Sequence, residues 1–157
     1  MVIGPFFFEN ENGASVTING ERYRAMIRDF VMPIIEENDM EGYWFQQDGA
    51  TCHTSRATID FLKPLFPGRL ISKNGDFPWP PRSPDLTPPD FYLWGYLKSK
   101  VYINKPRTLT QLKNNIRREI AAIPAEILAK TMENAEKRTH LAIKARGKHL
   151  KDIIFKN

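Results

Sequence analysis

The chain has 157 residues, of which 41% are hydrophobic and 26% charged, and it carries a net charge of +5. This length fits one domain with a real core, and the composition excludes an intrinsically disordered chain. No apolar run reaches the roughly 18–20 residues of a membrane span, and the single cysteine, Cys52, excludes an internal disulfide framework.

The charges are distributed unevenly along the chain. Residues 1–100 contain 10 Lys and Arg against 13 Asp and Glu, a balance of −3. Residues 101–157 contain 13 against 5, a balance of +8. A basic C-terminal segment is typical of a surface that meets a polyanion, but an ordinary solvated helical surface explains it equally well.

The N-terminal residues predict two extended pieces followed by a helix. Residues 2–9 form an apolar, aromatic run that predicts a strand, and residues 14–18 predict a second extended piece. From Glu21 to Ile35 apolar residues recur at three- and four-residue steps, which indicates an amphipathic helix. Pro33 lies inside this pattern and should break or kink the helix near Met32.

The next segment predicts a strand, a helix and another strand. Residues 43–47 combine a compact aromatic run with polar flanks, which suits a buried strand ending near Gln47. Ser55 is a natural N-cap for a helix that should stop before Pro64 or Pro67. Leu70 and Ile71 favour one more short strand.

The C-terminal half begins with a proline-rich segment and then becomes helical. Residues 78–89 contain six of the twelve prolines, which excludes a helix interior or a central strand. A helical pattern resumes over residues 91–100 and again from residue 109. Pro124 is well placed for the first turn of another helix, and Gly147 for a C-cap.

Two carboxylates stand out by their context. Asp48 follows the strand predicted at residues 43–47, a position at which ligands bind in open α/β sheets. Asp90 follows the proline-rich segment and starts the predicted helix at residues 91–100. Carboxylates brought together there would suit Mg²⁺ or Mn²⁺, and a metal pair can clamp the two oxygens of a phosphodiester exchange. Taken singly, Asp48 is explained better as a turn former and Asp90 as a helix cap.

The sequence around each carboxylate carries a resemblance. QQDGATCH at residues 46–53 and SPDLTPPDFYLW at residues 83–94 closely resemble two motifs of mariner-type DDE/D transposases. On this resemblance Asp48 and Asp90 are the second and third catalytic acids and metal ligands. Asp85 matches a position that is not a ligand and shapes the turn, and His53 matches a histidine with a structural hydrogen-bonding role.

The resemblance implies a fold and an activity. The fold is an α/β, ribonuclease H-like mixed sheet flanked by helices, N-terminally truncated and followed by a basic helical tail at about residues 108–157. Residues 1–157 are then part of a DDE superfamily endonuclease domain, whose full-length parent cleaves DNA and transfers strands with Mg²⁺ or Mn²⁺. The family's first acid and its helix-turn-helix modules have no counterpart here, and 41 residues separate Asp48 from Asp90. We therefore expect weak metal binding and no activity from this chain alone.

The resemblance also implies partners. DNA is the expected partner, with a homodimeric full-length parent, a nuclear location, and neither a membrane nor a small-molecule substrate. Basic residues that share helix faces are the candidates for contact with phosphates: Lys113, Arg117, Lys130, Lys137 and Lys144. A solvated face is the other interpretation of these residues. The alternative function is a non-catalytic DNA- or protein-binding remnant of a decayed transposable element.

Overall fold

The structure, a computed structural model, describes residues 1–80, 82–146 and 150. The chain divides into two compact units, one formed by Phe6–Arg82 and the other by Met1–Pro5 together with Ser83–Asn157. Within the described ranges, no helix combines the length and the apolar character that crossing a membrane requires.

The first 18 residues contain a hairpin with very little regular pairing. Val16 N–H donates to the Phe8 carbonyl at 3.0 Å, and a single antiparallel bridge joins Glu9 to Ser15. Gly13 turns the chain with a φ of +74°, a region that favours glycine. The prediction of a regular strand at residues 2–9 is therefore wrong. A strand needs a ladder of paired residues, and this hairpin has one bridge.

The predicted helix runs through Pro33 instead of breaking there. It consists of α1 (Gly20–Met26), a π-helical turn (Ile27–Val31) and α2 (Met32–Glu37). Met32 N–H donates to the Ile27 carbonyl, five residues back. This wider turn lies immediately before Pro33, which has no N–H to donate, and it lets the helix continue past the proline ring.

Among the described residues, the regular sheet has two short parallel strands. β1 (Phe45–Gln46) pairs with β2 (Leu70–Ile71), with Phe45 opposite Leu70. The strand at residues 70–71 is thus confirmed, whereas the strand predicted at residues 43–47 shrinks to two residues. Tyr43 and Trp44 are 63% and 54% exposed, so their predicted burial is wrong. The length of β1 is set by β2, which ends where Ser72 turns back to bond with Phe77.

A helical connection joins the two strands and completes the core of the first unit. It contains α3 (Thr51–Thr54) and α4 (Arg56–Leu65), which includes Pro64 and ends before Pro67. Ser55 stands at the N-cap as predicted, although its hydroxyl bonds Thr58 Oγ1 at 3.0 Å rather than a backbone N–H. The buried core residues of this unit come from the helical segments, from the residue that caps α4 and from β2: Tyr23, Ile27, Ile35, Ile59, Leu62, Phe66 and Leu70.

The second unit is helical, as the sequence predicts. Its elements are a 3₁₀ turn (Pro84–Leu86), a π-helical turn (Pro89–Leu93), α5 (Trp94–Lys100), α6 (Leu109–Ala121) and α7 (Ala125–Lys144). Pro124 is the residue just before α7, and the C-cap predicted at Gly147 lies outside the described residues. The buried Asn115 joins α6 to the end of α5, because its Nδ2 donates to the Val101 carbonyl at 2.7 Å.

Candidate functional site

Asp48 lies two residues beyond the end of β1, in a tight turn that leads into α3. Its Oδ1 accepts a hydrogen bond from Ala50 N–H at 3.0 Å and another from His53 Nδ1 at 2.5 Å. An ionised carboxylate oxygen only accepts, so His53 Nδ1 carries the proton of this bond. Among the described residues both bonds use Oδ1, and the side chain is 53% exposed. The protein therefore orients the carboxylate through Oδ1, while the side chain remains half exposed.

The residue before Asp48 is buried and fully bonded. Gln47 is 5% exposed, and its amide oxygen accepts from the Tyr23 hydroxyl at 3.0 Å. Its amide nitrogen donates to the His53 carbonyl and to Ser72 Oγ, each at 2.9 Å. These three bonds join α1, α3 and the end of β2 directly below Asp48, so the backbone that carries the carboxylate is held from three sides.

Tyr23 completes this local arrangement. Burial, reinforced by the nearby charges of Cys52 and Asp48, raises the pKa of Tyr23 well above its ordinary value. The hydroxyl consequently keeps its proton and acts as a donor to Gln47. The ring centroid of Tyr23 lies 4.3 Å from that of His53, so the same side chain also packs against the histidine that bonds Asp48.

Asp90 stands where the sequence places it, in the first turn after Pro88 and Pro89. Its N–H donates to the Thr87 carbonyl at 2.9 Å, and the Thr87 hydroxyl donates to the Ser83 carbonyl at 3.1 Å. The two prolines preset the backbone for a helical start without needing donors of their own. Asp90 is exposed and lies where the helix dipole favours a negative charge.

Asp85 forms part of the turn that precedes Asp90. Its carbonyl accepts from Arg138 Nη1 at 3.2 Å, and its carboxylate accepts from Leu150 N–H at 3.4 Å. These contacts agree with a turn-shaping role for Asp85. Asp48 and Asp90 belong to different compact units of the chain.

The candidate DNA-contacting residues occupy two helices of the second unit. Lys130, Lys137 and Lys144 are exposed along α7. On α6, Lys113 is half-buried, and Arg117 is exposed with its guanidinium bonded to Asn114 Oδ1 at 3.0 Å. The exposure of the three α7 lysines suits contact with phosphates as well as simple solvation.

The donor chemistry of the two aspartates suits a divalent metal. In the described part of the chain, no group of three or more His, Cys, Asp or Glu side chains is arranged to hold a metal ion. Mg²⁺ is commonly bound by one or two carboxylates together with water and substrate phosphates, so two exposed carboxylates fit its needs.

Sequence reasoning missed the residues that support the two aspartates. Gln47, Tyr23 and Ser72 meet below Asp48, and Arg138 reaches the turn before Asp90. Gln47 lies inside the QQDGATCH motif, but nothing in the sequence distinguishes a buried glutamine from an exposed one. The bonds of the other three to Gln47 and to the turn before Asp90 span 24 to 53 residues of sequence, and no local pattern marks these residues.

Comparison with known proteins gives one sequence relative and a set of similar structures. The Tc3 transposase of Caenorhabditis elegans is 30% identical over 135 residues, which cover 85% of this chain and 39% of the relative. Two structures of the Mos1 transposase catalytic domain with raltegravir, one with Mn and one with Mg, align with TM-scores of 0.69 and 0.68 at 22% identity. Each alignment covers 86% of this chain and 66% of the Mos1 chain. No protein-family model matches the chain.

These similarities confirm the main expectations from the sequence. The likeness to Mos1 confirms the α/β, ribonuclease H-like fold with a helical C-terminal part. The chain spans well under half of Tc3 transposase and just under two thirds of the Mos1 chains, so it corresponds to part of each. The sequence similarity to part of Tc3 transposase and the fold shared with the Mos1 catalytic domain together support a fragment of a mariner-type transposase.

Proposed function

We propose that this chain supplies two metal-binding catalytic acids, Asp48 and Asp90, for DNA cleavage and strand transfer by a transposase. The observation that carries the proposal is the setting of Asp48. Its carboxylate is held through one oxygen by His53 and Ala50 and remains half exposed, directly beyond a strand end. A turn former needs the bond to Ala50, but it needs neither the second bond from His53 nor the buried network beneath it.

The setting of Asp90 supports the same role. The prolines, the Thr87 bonds and the 3₁₀ turn define the backbone on its N-terminal side, and its side chain is exposed. A metal ligand must be held within a narrow range of positions, and ligands mounted on regular elements are held better than ligands on loops. Asp90 meets this requirement because it stands on the first turn of a helix.

The proposed chemistry is phosphodiester hydrolysis followed by attack of a 3′-hydroxyl. Mg²⁺ or Mn²⁺, when bound, lowers the pKa of the attacking group and stabilises charge on the transferring phosphate. The role of this chain is to provide and orient carboxylate oxygens. His53 fixes one oxygen of Asp48, and the exposed lysines of α7 are the groups proposed to contact the DNA backbone.

The proposal includes the setting in which the reaction occurs. DNA is the partner, the full-length parent is a homodimer, and the protein acts in the nucleus, where its substrate lies. One of the two Mos1 structures is with Mn and the other with Mg, which supports the choice of divalent metals for the proposal.

Metal binding provides a test that does not depend on catalysis. Mn²⁺ is titrated into the ¹⁵N-labelled chain, and its position is read from paramagnetic broadening of the Gly49 and Phe91 amide signals. We expect both signals to broaden with the same midpoint. We expect Asp48→Asn and Asp90→Asn each to weaken binding by about tenfold or more, because even outer partners of metal ligands change affinity by that factor.

The matched control is Asp60→Asn on α4. Asp60 is an exposed carboxylate whose nearest ion-pair contact is Arg56 at 3.7 Å, so its replacement changes the net charge equally. Broadening that responds equally to all three substitutions would reduce the binding to general electrostatic attraction and would contradict the assignment.

A non-catalytic DNA-binding remnant is the second candidate. The exposure of Lys130, Lys137 and Lys144 along α7 favours it, because phosphate contact needs no metal. DNA binding combined with a Mn²⁺ response that ignores both aspartates would select this function over the first.

A further inference from the structure

Arg138 is a buried charged residue with contacts on both sides of Asp90. It lies on α7 and is only 5% exposed. Its Nη1 donates to the Asp85 carbonyl at 3.2 Å, and its Nε donates to Asn134 Oδ1, one helical turn away, at 3.2 Å. The guanidinium carbon lies 4.3 Å from the centroid of the Phe91 ring.

These contacts join a distant helix to the segment that carries Asp90. Asp85 lies in the 3₁₀ turn before Asp90, and Phe91 is the next residue after it. Thr87 lies between Asp85 and Asp90, and its hydroxyl donates to the Ser83 carbonyl. The guanidinium thus contacts the turn before Asp90 and the residue that follows it. The position of the Asp90 carboxylate depends on the backbone of both.

The geometry requires arginine rather than any cation. A guanidinium is planar, donates from several nitrogens in fixed directions and stacks on an aromatic face, whereas a lysine ammonium is a point charge on a flexible stem. Arg138 uses all three properties, since it bonds a carbonyl and an amide oxygen at its edge and covers Phe91 with its face.

We infer that Arg138 is a positioning residue for Asp90, holding the carboxylate where it can bind a divalent metal. The inference rests on the proposed role of Asp90 as a metal ligand. It assigns to α7 a function in the metal centre that is separate from any contact of its exposed lysines with DNA.

The sign of the effect separates positioning from electrostatics. A nearby positive charge repels a metal cation, so removing the charge of Arg138 should strengthen Mn²⁺ binding if charge alone matters. Removing a positioning contact should weaken binding. The two explanations therefore predict opposite shifts for the same substitution.

The test compares Arg138→Met with its neighbour Lys137→Met by the Mn²⁺ broadening of the Phe91 amide signal, far below the unfolding temperature. Lys137 is exposed, so its replacement removes one charge without these contacts. We expect Arg138→Met to raise the Mn²⁺ midpoint about tenfold, the lower end of the range for outer partners of metal ligands. Lys137→Met should leave the midpoint unchanged or slightly lower.

Two further variants make every outcome decisive. A midpoint in folded Arg138→Met that equals or falls below that of the wild type would overturn the inference. Should Arg138→Met fail to fold, Arg138→Lys takes its place: a raised midpoint supports the inference, and an unchanged one overturns it. Asp90→Asn separates failure of the proposed function from failure of the inference about Arg138. A wild-type Mn²⁺ midpoint in Asp90→Asn would overturn the metal-ligand role of Asp90 and, with it, the role of Arg138. A raised midpoint in Asp90→Asn with none in Arg138→Met would overturn only the latter.

Discussion

Replacing Gln47 by leucine tests whether the buried amide stabilises the backbone that carries Asp48. The substitution keeps a side chain of similar size, so it leaves little cavity. It removes three hydrogen bonds, to the Tyr23 hydroxyl, the His53 carbonyl and Ser72 Oγ. Each bond contributes about 0.5–1.5 kcal/mol net, and the partners left buried add a desolvation cost, which rotation of the two hydroxyls partly relieves. We therefore expect the free energy of unfolding to fall by about 2–4 kcal/mol.

The adjacent Gln46 provides the matched control. Its Nε2 is buried and has no hydrogen-bond partner within the described residues, although it stands next to the fully bonded Gln47 in the same strand region. Gln46→Leu removes a donor that already carries a desolvation cost, so the free energy of unfolding should stay the same or rise by about 1 kcal/mol. Both variants change one glutamine to leucine one residue apart, and only the bonding differs.

Urea unfolding followed by far-ultraviolet circular dichroism measures both effects. The two variants should show the same dependence on urea concentration as the wild type, with a lower midpoint for Gln47→Leu and an unchanged or higher midpoint for Gln46→Leu. Equal destabilisation by Gln46→Leu and Gln47→Leu, or a loss below about 1 kcal/mol for Gln47→Leu, would refute the claim that the amide bonds stabilise this region.

Three further predictions concern pH, salt and activity. The raised pKa of Tyr23 makes the folded state lose stability as the pH rises above the ordinary value of 10.0, because the unfolded chain releases the proton first. Tyr23→Phe should flatten that fall in alkaline urea titrations, and an unaltered fall would contradict the assignment. Replacing the exposed α7 lysines Lys130, Lys137 and Lys144 together by alanine should reduce the slope of log DNA affinity against log salt concentration by up to about 3. The same triple change at Lys63, Lys73 and Lys98 should not reduce that slope. Finally, the 157-residue chain should not nick supercoiled plasmid in Mg²⁺ or Mn²⁺; nicking that Asp48→Ala abolishes would show that another residue completes the site.

The sequence by itself determined the features that depend on neighbouring residues. Two prolines followed by an acid predict a helix that begins at Asp90, because proline lacks a donor and presets φ. The spacing of apolar residues predicts the helices of the second unit, and Leu70–Ile71 is a strand as expected. Asp48 follows a strand end for the same kind of reason, since an apolar run that stops at polar residues marks where a buried strand leaves the sheet. The two motifs also sufficed for the family resemblance that the comparisons confirmed.

Only the tertiary structure decided which of two similar residues is buried and what it bonds. Gln46 and Gln47 are adjacent and identical in type, yet only the second has partners from three elements. Lys137 and Arg138 are adjacent and equally charged, yet one faces solvent and the other lies on Phe91. The length of β1 followed from the two residues of β2, and the π-helical turn before Pro33 kept a helix continuous where local rules predicted a break or a kink. In each case the deciding partner lies far away in the sequence or depends on how the core packs, and burial then makes an unbonded polar group costly enough to select one arrangement.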